Sequence, residues 1–283
     1  MGLIRTETML IDIFVNFSHS AAVVFGCLVV LWAISIALKD ASLIDIFWGF
    51  GFLIVGAVCL YISQGRSPYH ILLAALPIMW GLRLSLYLAR RNLGHGEDKR
   101  YVAMRKRAEK KGVGERSWRL RSLFTIYFGQ GILIMLVSAP IWVAMATADA
   151  PLTIGALAII GALLWLVGFL FEAIGDWQLS SFMQRMKDYE GPYEDKPILD
   201  TGLWKYTRHP NYFGNACMWW GIWLVACSAP WGWVTIFAPL IMTLFLVKIS
   251  GKDLLESQLK RRPAYVDYMT RTSGFIPRRP KAS

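Results

Sequence analysis

The sequence predicts an all-α, polytopic integral membrane bundle of about seven transmembrane helices. Hydrophobic residues make up 55% of the 283 residues and charged residues only 17%, whereas soluble domains carry roughly 25% charge. The apolar residues lie in blocks of about 20, the length of a helix that crosses a bilayer. These observations exclude a soluble globular protein. The basic residues lie between the blocks, so the net charge of +11 indicates membrane topology and not nucleic-acid binding.

Seven apolar segments are long enough to span a membrane. They are residues 20–38, 43–62, 70–89, 122–146, 151–171, 212–228 and 231–250. The first lacks the compact basic start and small-residue cleavage site of a signal peptide, so we interpret it as part of the fold. We predict a single membrane domain over residues 1–283, with N-terminal helices in 1–147 and a C-terminal part in 151–283.

The distribution of basic residues predicts the orientation. Residues 90–121 contain 12 Lys or Arg against four acids, and the tail after Gly251 contains eight Lys or Arg. Basic loops resist translocation, so these segments are expected to be cytoplasmic and the N-terminus outside. We expect a multi-pass protein of the bacterial inner membrane. The basic cluster at 105–111 also suits anionic lipid headgroups. The scattered Cys and His residues predict no metal site.

Ionisable groups within a span are costly and therefore candidates for function. Asp45 lies near the start of the second span. Burial would favour its protonated form, ready to donate a hydrogen bond or proton; the alternative is an acid that complements the helix dipole. In the third span, Trp80, Arg83 and Tyr87 share one helical face. Arg83 lies too deep to reach the interface easily and needs a partner such as Asp45 or an anionic ligand.

Two acids and a longer motif mark the C-terminal part. Glu172 and Asp176 are four residues apart, so they share a helical face on which they could hold ribose hydroxyls, pair with Arg, or act as solvated caps. In the motif GLWKYTRHPNYFGN at 202–215, Pro210 suits the first turn of a helix. A helix start favours an anion, and Arg208 adds a bidentate phosphate donor. The alternative is a helix cap with an interface anchor.

The chain resembles the DUF1295 group and the C-terminal domain of steroid 5-alpha-reductases. The motifs that carry this resemblance are GLWKYTRHPNYFG at 202–214, RRPAYVDY at 261–268 and TSGFIP at 272–277, with weaker matches DIFWGFGF at 45–52 and WGLR at 80–83. The resemblance implies a seven-helix membrane fold that binds NADPH from the cytoplasm. It also implies reduction of a carbon–carbon double bond conjugated to a carbonyl in a steroid- or lipid-like substrate.

The resemblance assigns roles to particular residues. The reductases polarise the substrate carbonyl with a Glu in the second helix and a Tyr in the third. Here the acid corresponds to Asp45, and the Tyr position falls near Trp80, so we predict Asp45 and Tyr87 as the catalytic residues. The predicted NADPH-binding residues are Arg83, Arg91, Asn92, Asp176, Lys196, Tyr206, Arg208, His209, Asn211, Tyr212, Asn215 and Glu256.

Two alternative functions remain open. The Arg-His-Pro motif at 208–210 is shared with isoprenylcysteine and phospholipid methyltransferases, which use S-adenosylmethionine. A dinucleotide with several negative charges explains the many Arg and Lys residues better than a sulfonium cofactor does, and a methyltransferase gives no reason for Asp45 or Arg83. A non-catalytic lipid-binding membrane protein is the third possibility, because a fold does not imply a function.

Overall fold

A computed structural model of the chain describes residues 2–63, 67–146, 151, 153–249 and 252–281. Within these ranges the secondary structure is helical and contains no strand; one isolated bridge joins Thr207 to Ser273. The prediction of a helical membrane bundle is confirmed. Arg66 and the last residue of the predicted seventh span, Ser250, lie outside the described residues.

The chain divides into two compact units. Unit 1 comprises Met1–Ala158 and Val225–Thr235, and unit 2 comprises Ile159–Leu224 and Ile236–Ser283. The first division falls close to the boundary near residue 150 that the sequence predicted, whereas the return of residues 225–235 to unit 1 was not predicted. That the whole chain acts as a single domain stays a prediction.

In its described residues, unit 1 contains six complete helical segments. They are α1 (Gly2–Leu38), α2 (Leu43–Ile62), α3 (Pro68–Asn92), α4 (Lys99–Lys110), α5 (Glu115–Val137) and α6 (Ala139–Ala144). α1 extends well before residue 20, the first residue of the predicted span. α5 contains a π-helical turn at Leu123–Phe128. At the start of α4, the side chain of Asp98 accepts a hydrogen bond from the Arg100 N–H at 2.8 Å, which is a typical helix cap.

Unit 2 contains most of five further helical segments. They are α7 (Ala156–Arg185), α8 (Pro210–Ala226), α9 (Gly232–Ile249), α10 (Lys252–Leu259) and α11 (Pro263–Arg271). Single 3-10 turns lie at Tyr193–Asp195 and Gly202–Lys205. The first residues of α7 and α9 and the last two of α8 belong to unit 1.

Six helices of the described chain are long and apolar enough to cross a membrane. They are Glu7–Leu38, Leu43–Ile62, Pro68–Asn92, Glu115–Val137, Ala156–Arg185 and Gly232–Ile249. The one predicted span that is not among these six, residues 212–228, corresponds to α8, which has 17 residues, at the lower limit for crossing a bilayer. The count of seven spans therefore stays a prediction, as do the orientation and the bacterial inner membrane.

Glycines allow close helix packing in each unit, as is common between membrane helices. In unit 1, a Cβ atom on Gly49 of α2 would lie 2.6 Å from the carbonyl oxygen of Gly81 in α3. In unit 2, a Cβ atom on Gly214 of α8 would collide with the carbonyl oxygen of Gly168 and lie 2.6 Å from the backbone nitrogen of Glu172. The second contact brings the polar ends of α7 and α8 together.

We expect Gly214→Ala to destabilise the protein by about 1–3 kcal/mol, because backbone atoms of α7 would have to move to make room for the methyl group. The apparent melting temperature of the purified protein in detergent should fall. Gly26→Ala in α1 is the matched control, since a Cβ atom there meets nothing within 4 Å. Equal melting temperatures for the two variants would contradict close packing at Gly214.

Candidate functional site

The 202–215 motif begins with a turn that is fastened to α7. Gly202 has a positive φ of 60°, a conformation that glycine adopts without strain. The backbone N–H of Leu203 donates to the side chain of Gln178 at 3.0 Å, and the indole N–H of Trp204 donates to the carbonyl of Gly175 at 3.1 Å. These bonds fix the path of the chain into α8.

The C-terminal segment, residues 268–277, also forms hydrogen bonds with this motif. The Thr207 hydroxyl donates to the carbonyl of Phe275 at 2.8 Å, and the Arg208 N–H donates to the carbonyl of Ser273 at 2.9 Å. The hydroxyl of Tyr268 also donates to the carbonyl of Trp204. The motifs at 202–214 and 272–277 therefore form one structural element.

A buried polar network lies behind this element. The Arg208 guanidinium binds both carboxylate oxygens of Glu256, at 2.9 and 3.2 Å, and Nε2 of His209 lies 3.0 Å from Glu256 Oε1. Burial acts to raise the pKa of Glu256, but hydrogen bonds from His209 and Arg208 and the charge of Arg208 outweigh it and lower that pKa to about 2. Burial lowers the pKa of His209 despite the Glu256 carboxylate. Near neutral pH the network is therefore an arginine–carboxylate ion pair with a neutral imidazole.

In this network, most N–H groups of the Arg208 guanidinium are bonded to the protein itself. The guanidinium also donates to the carbonyls of Met269 and Thr272, so four of the five N–H bonds of the group have protein acceptors. A bidentate phosphate would have to displace at least one of these acceptors. We interpret the Arg208–Glu256 pair as the anchor of the C-terminal segment, and the binding of a cofactor phosphate by Arg208 stays a prediction.

The start of α8 also has fewer free backbone N–H groups for an anion than its sequence predicts. The N–H of Tyr212 donates to the side chain of Asn211 at 3.0 Å, and the N–H of Phe213 donates to the carbonyl of His209 at 3.0 Å. Because Pro210 has no N–H, few amides of this helix start remain for a phosphate. The aromatic rings of His209 and Tyr212 stack with their centroids 5.2 Å apart.

Two carboxylate–asparagine bonds connect α7 and α8. Asn211 Nδ2 donates to Asp176 Oδ1 and Asn215 Nδ2 donates to Glu172 Oε2, each at 3.0 Å. Asp176, Glu172 and Asn215 are buried, and the amide oxygen of Asn215 is buried without a hydrogen-bond partner in the described chain. The pairs combine carboxylate and amide groups, which suit ligand hydroxyl and carboxamide groups.

Two predicted cofactor residues of unit 2 lie outside these networks. The ammonium group of Lys196 lies 5.9 Å from the centre of the Tyr189 ring, and the carbonyl of Lys196 accepts a hydrogen bond from Arg262. The side chain of Tyr206 is exposed, while its carbonyl accepts from the N–H of Arg278. These two residues stay predictions.

In unit 1, the candidate acid Asp45 is bonded to α4. Asp45 Oδ1 accepts a hydrogen bond from the Tyr101 hydroxyl at 2.7 Å, and Asp45 Oδ2 forms an ion pair with Arg100 at 2.6 Å. Gln130 Nε2 donates to the Tyr101 hydroxyl oxygen at 3.3 Å. Burial, followed by the charge of Asp45, raises the pKa of Tyr101. The phenol therefore stays protonated, and Tyr101 is the donor in this pair.

The other predicted residues of unit 1 lie close together on α3. The guanidinium groups of Arg83 and Arg91 lie 5.3 and 5.7 Å from the centre of the Tyr87 ring, within the range of cation–π attraction. Arg91 Nε also donates to Asn92 Oδ1 at 3.0 Å. Asp45 bonds to Arg100 and Tyr101 of α4; its partnership with Arg83 and the catalytic role of Tyr87 stay predictions.

Comparison with known proteins gives the family. The family described as "Protein of unknown function (DUF1295)" matches residues 31–272 of this sequence. The chain belongs to the DUF1295 family. An uncharacterized protein of Schizosaccharomyces pombe (strain 972 / ATCC 24843) is 25% identical over 277 residues, which cover 88% of this chain and 76% of the yeast protein. No solved structure gives a significant match.

The predicted DUF1295 membership is thus confirmed, whereas the steroid reductase relationship stays a prediction. Sequence reasoning about this DUF1295 protein missed Tyr101 and Arg100. Both lie in the basic loop at 90–121, which we interpreted through its charge alone. The signal in the sequence is Asp98, a helix cap two residues before Arg100 and three before Tyr101, which indicates an ordered helix with an aromatic residue in its first turn.

Proposed function

We propose that the protein is a membrane NADPH-dependent reductase of a carbon–carbon double bond conjugated to a carbonyl in a steroid- or lipid-like substrate. The observation that carries the proposal is the 2.7 Å hydrogen bond between Tyr101 and Asp45. Reduction of such a bond places negative charge on the carbonyl oxygen and requires a proton donor, whereas methyl transfer does not need a donor of this kind. The carboxyl–phenol pair implied by the reductase resemblance is therefore supported with a different tyrosine.

The roles within the pair follow from the direction of its hydrogen bond. Asp45 Oδ1 accepts from the Tyr101 hydroxyl, so Asp45 orients that hydroxyl. Tyr101 is the group that would donate a hydrogen bond to the carbonyl oxygen as charge develops there. Gln130 donates to the phenol oxygen and so helps to hold it in place. Tyr101 replaces protonated Asp45 as the proposed donor.

The polar groups at the ends of α7 and α8 fit parts of a dinucleotide. Asp176, Glu172, Asn211 and Asn215 would hold ribose hydroxyls or the nicotinamide carboxamide, and the unpartnered amide oxygen of Asn215 could accept a hydrogen bond. NADPH, when bound, supplies the hydride. The network around Arg208 positions the 202–215 motif. The assignment of Arg83, Arg91 and Asn92 to the cofactor stays a prediction.

Cofactor binding tests the proposal directly. We expect NADPH, and not S-adenosylmethionine, to quench the tryptophan fluorescence of the purified protein in detergent saturably. Asp176→Asn should weaken NADPH binding about tenfold, because the carboxylate loses its charge-assisted hydrogen bonds. Asp188→Asn is the matched control, since Asp188 is an exposed acid after the end of α7.

The other outcomes favour the alternatives. Quenching by S-adenosylmethionine alone would favour a methyltransferase, and the absence of a response to either compound would favour a non-catalytic lipid-binding protein. Equal weakening by Asp176→Asn and Asp188→Asn would remove Asp176 from the binding site while leaving the cofactor assignment in place.

A further inference from the structure

Unit 1 contains a polar cavity of about 320 Å³ that none of the groups above uses. This volume lies within the range of about 300–1,000 Å³ that is typical of small-ligand sites. The lining comes from the end of α1, the second half of α4 and the start of α5. Its polar members include Ser35, Lys39, Arg105, Glu109, Glu115 and Arg119.

The charges around the cavity are only partly compensated. Arg105 forms hydrogen bonds with both carboxylate oxygens of Glu97, at 2.7 and 2.8 Å, and Arg119 forms an ion pair with Glu115. Among the described residues, neither Lys39 nor Glu109 forms an ion pair within 4 Å. The lining therefore presents one additional positive and one additional negative charge that are not bound to each other.

The cavity lies where two of the candidate spans end. Lys39 directly follows α1, and Glu115 is the first residue of α5. Trp118 lines the cavity, and the indole N–H of nearby Trp32 donates to the carbonyl of Arg119 at 3.0 Å. Tryptophan and basic residues at the ends of spans are typical of the headgroup level of a bilayer. A ligand in this cavity could therefore remain anchored in the membrane.

We propose that this cavity binds the headgroup of an aminophospholipid. Lys39 and Arg105 bind the phosphoryl oxygens, and Glu109 accepts hydrogen bonds from the primary ammonium group. A ligand with one charge of each sign matches the two uncompensated charges. A choline headgroup fits less well, because its quaternary nitrogen has no N–H to donate to Glu109, and of the aromatic residues only Trp118 is among the lining residues, not the aromatic cage that binds such cations.

The test uses the full-length protein in detergent and native mass spectrometry. The protein is titrated with phosphatidylethanolamine, phosphatidylcholine and phosphatidylglycerol of identical acyl chains, and with soluble glycerophosphoethanolamine. We expect phosphatidylethanolamine to bind about tenfold more tightly than phosphatidylcholine, as one hydrogen-bonded charge pair provides. Glu109→Gln should abolish this preference, and Lys39→Gln should weaken binding of both lipids. Lys106→Gln, an exposed change of the same charge on α4 that does not line the cavity, should leave both affinities unchanged.

Three results would overturn the proposal. Equal binding of phosphatidylethanolamine and phosphatidylcholine would remove the role of the ammonium group. Preferred binding of phosphatidylglycerol that Glu109→Gln does not reduce would indicate a purely anionic site. Binding of glycerophosphoethanolamine as tightly as the whole lipid would indicate a soluble ligand. The proposal does not depend on the reductase function, since no NADPH or enone enters the measurement.

Discussion

Replacing Tyr101 by Phe should lower the turnover of an enone substrate by about 100-fold or more, with NADPH affinity unchanged. Removal of one preorganised donor to a developing oxyanion costs roughly 100- to 1,000-fold in turnover. The substitution removes only the hydroxyl that donates to Asp45 at 2.7 Å and retains the buried ring. The rate of NADPH oxidation with a panel of apolar enones, including a steroid, measures turnover, and fluorescence quenching measures cofactor binding.

Two further tyrosines make this experiment specific. Tyr61→Phe changes a residue that is 80% exposed and should have no effect. Tyr87→Phe tests the residue that the sequence predicted, which lies beside Arg83 and Arg91. A loss of turnover in Tyr87→Phe with normal turnover in Tyr101→Phe would restore the original assignment and contradict the one made from the structure.

Asp45→Asn separates the two roles in the pair. An amide can still accept a hydrogen bond from the phenol, but it no longer carries the negative charge that binds Arg100. If Asp45 only orients Tyr101, turnover should fall less in Asp45→Asn than in Tyr101→Phe. A larger loss in Asp45→Asn would indicate that the carboxyl group itself transfers the proton.

The sequence predicted the spans well because a continuous apolar run of about 20 residues is a local property. It also predicted Asp45 and Arg208 as important, because a charge in or beside a span is costly wherever its partner lies. The partners could not be predicted in the same way. Tyr101 is 56 residues from Asp45 and Glu256 is 48 residues from Arg208, and no periodic pattern connects such distant positions.

The roles of the charged groups depended on those missing partners. A buried carboxyl group considered alone led to the prediction of Asp45 as a donor, whereas in the structure it accepts the hydrogen bond of the Tyr101 hydroxyl. Likewise, Arg208 before a helix predicts a phosphate site. Its guanidinium N–H groups, however, are bound to Glu256 and to two backbone carbonyls, so few of them remain for a phosphate. What Asp45 and Arg208 can do chemically therefore depends on the partner to which each is bonded, and not on the residue type alone.

Glu256→Gln should destabilise the protein by about 3 kcal/mol near neutral pH and reduce the loss of stability in acid. The pKa of Glu256 is lowered from 4.5 to about 2 in the folded state, so the folded protein binds fewer protons than the unfolded chain between these values. The carboxylate thus contributes stability that is fully present above about pH 4.5 and is lost as the pH falls toward 2. Since one pKa unit corresponds to about 1.4 kcal/mol, the shift gives the stated magnitude.

His209 adds to the same dependence at higher pH. Burial lowers its pKa below the ordinary value of 6.5, so the unfolded chain again binds the proton more readily and stability falls as the pH drops below about 6.5. The contribution of Glu256 is therefore best measured as the difference between wild type and Glu256→Gln below pH 5. Thermal unfolding in detergent, followed by circular dichroism between pH 8 and about 3, provides this comparison.

Arg208→Ala should have the larger effect of the two substitutions, about 3–5 kcal/mol, because it leaves the Glu256 carboxylate buried without its guanidinium. The double variant Arg208→Ala with Glu256→Gln should recover part of this loss, since no uncompensated buried charge then remains. Glu190→Gln, an exposed acid between α7 and α8, is the control and should follow the wild-type curve. If Arg208 is instead a phosphate ligand and not the anchor of the C-terminal segment, Arg208→Ala should weaken NADPH binding with little change in melting temperature, and the double variant should recover nothing.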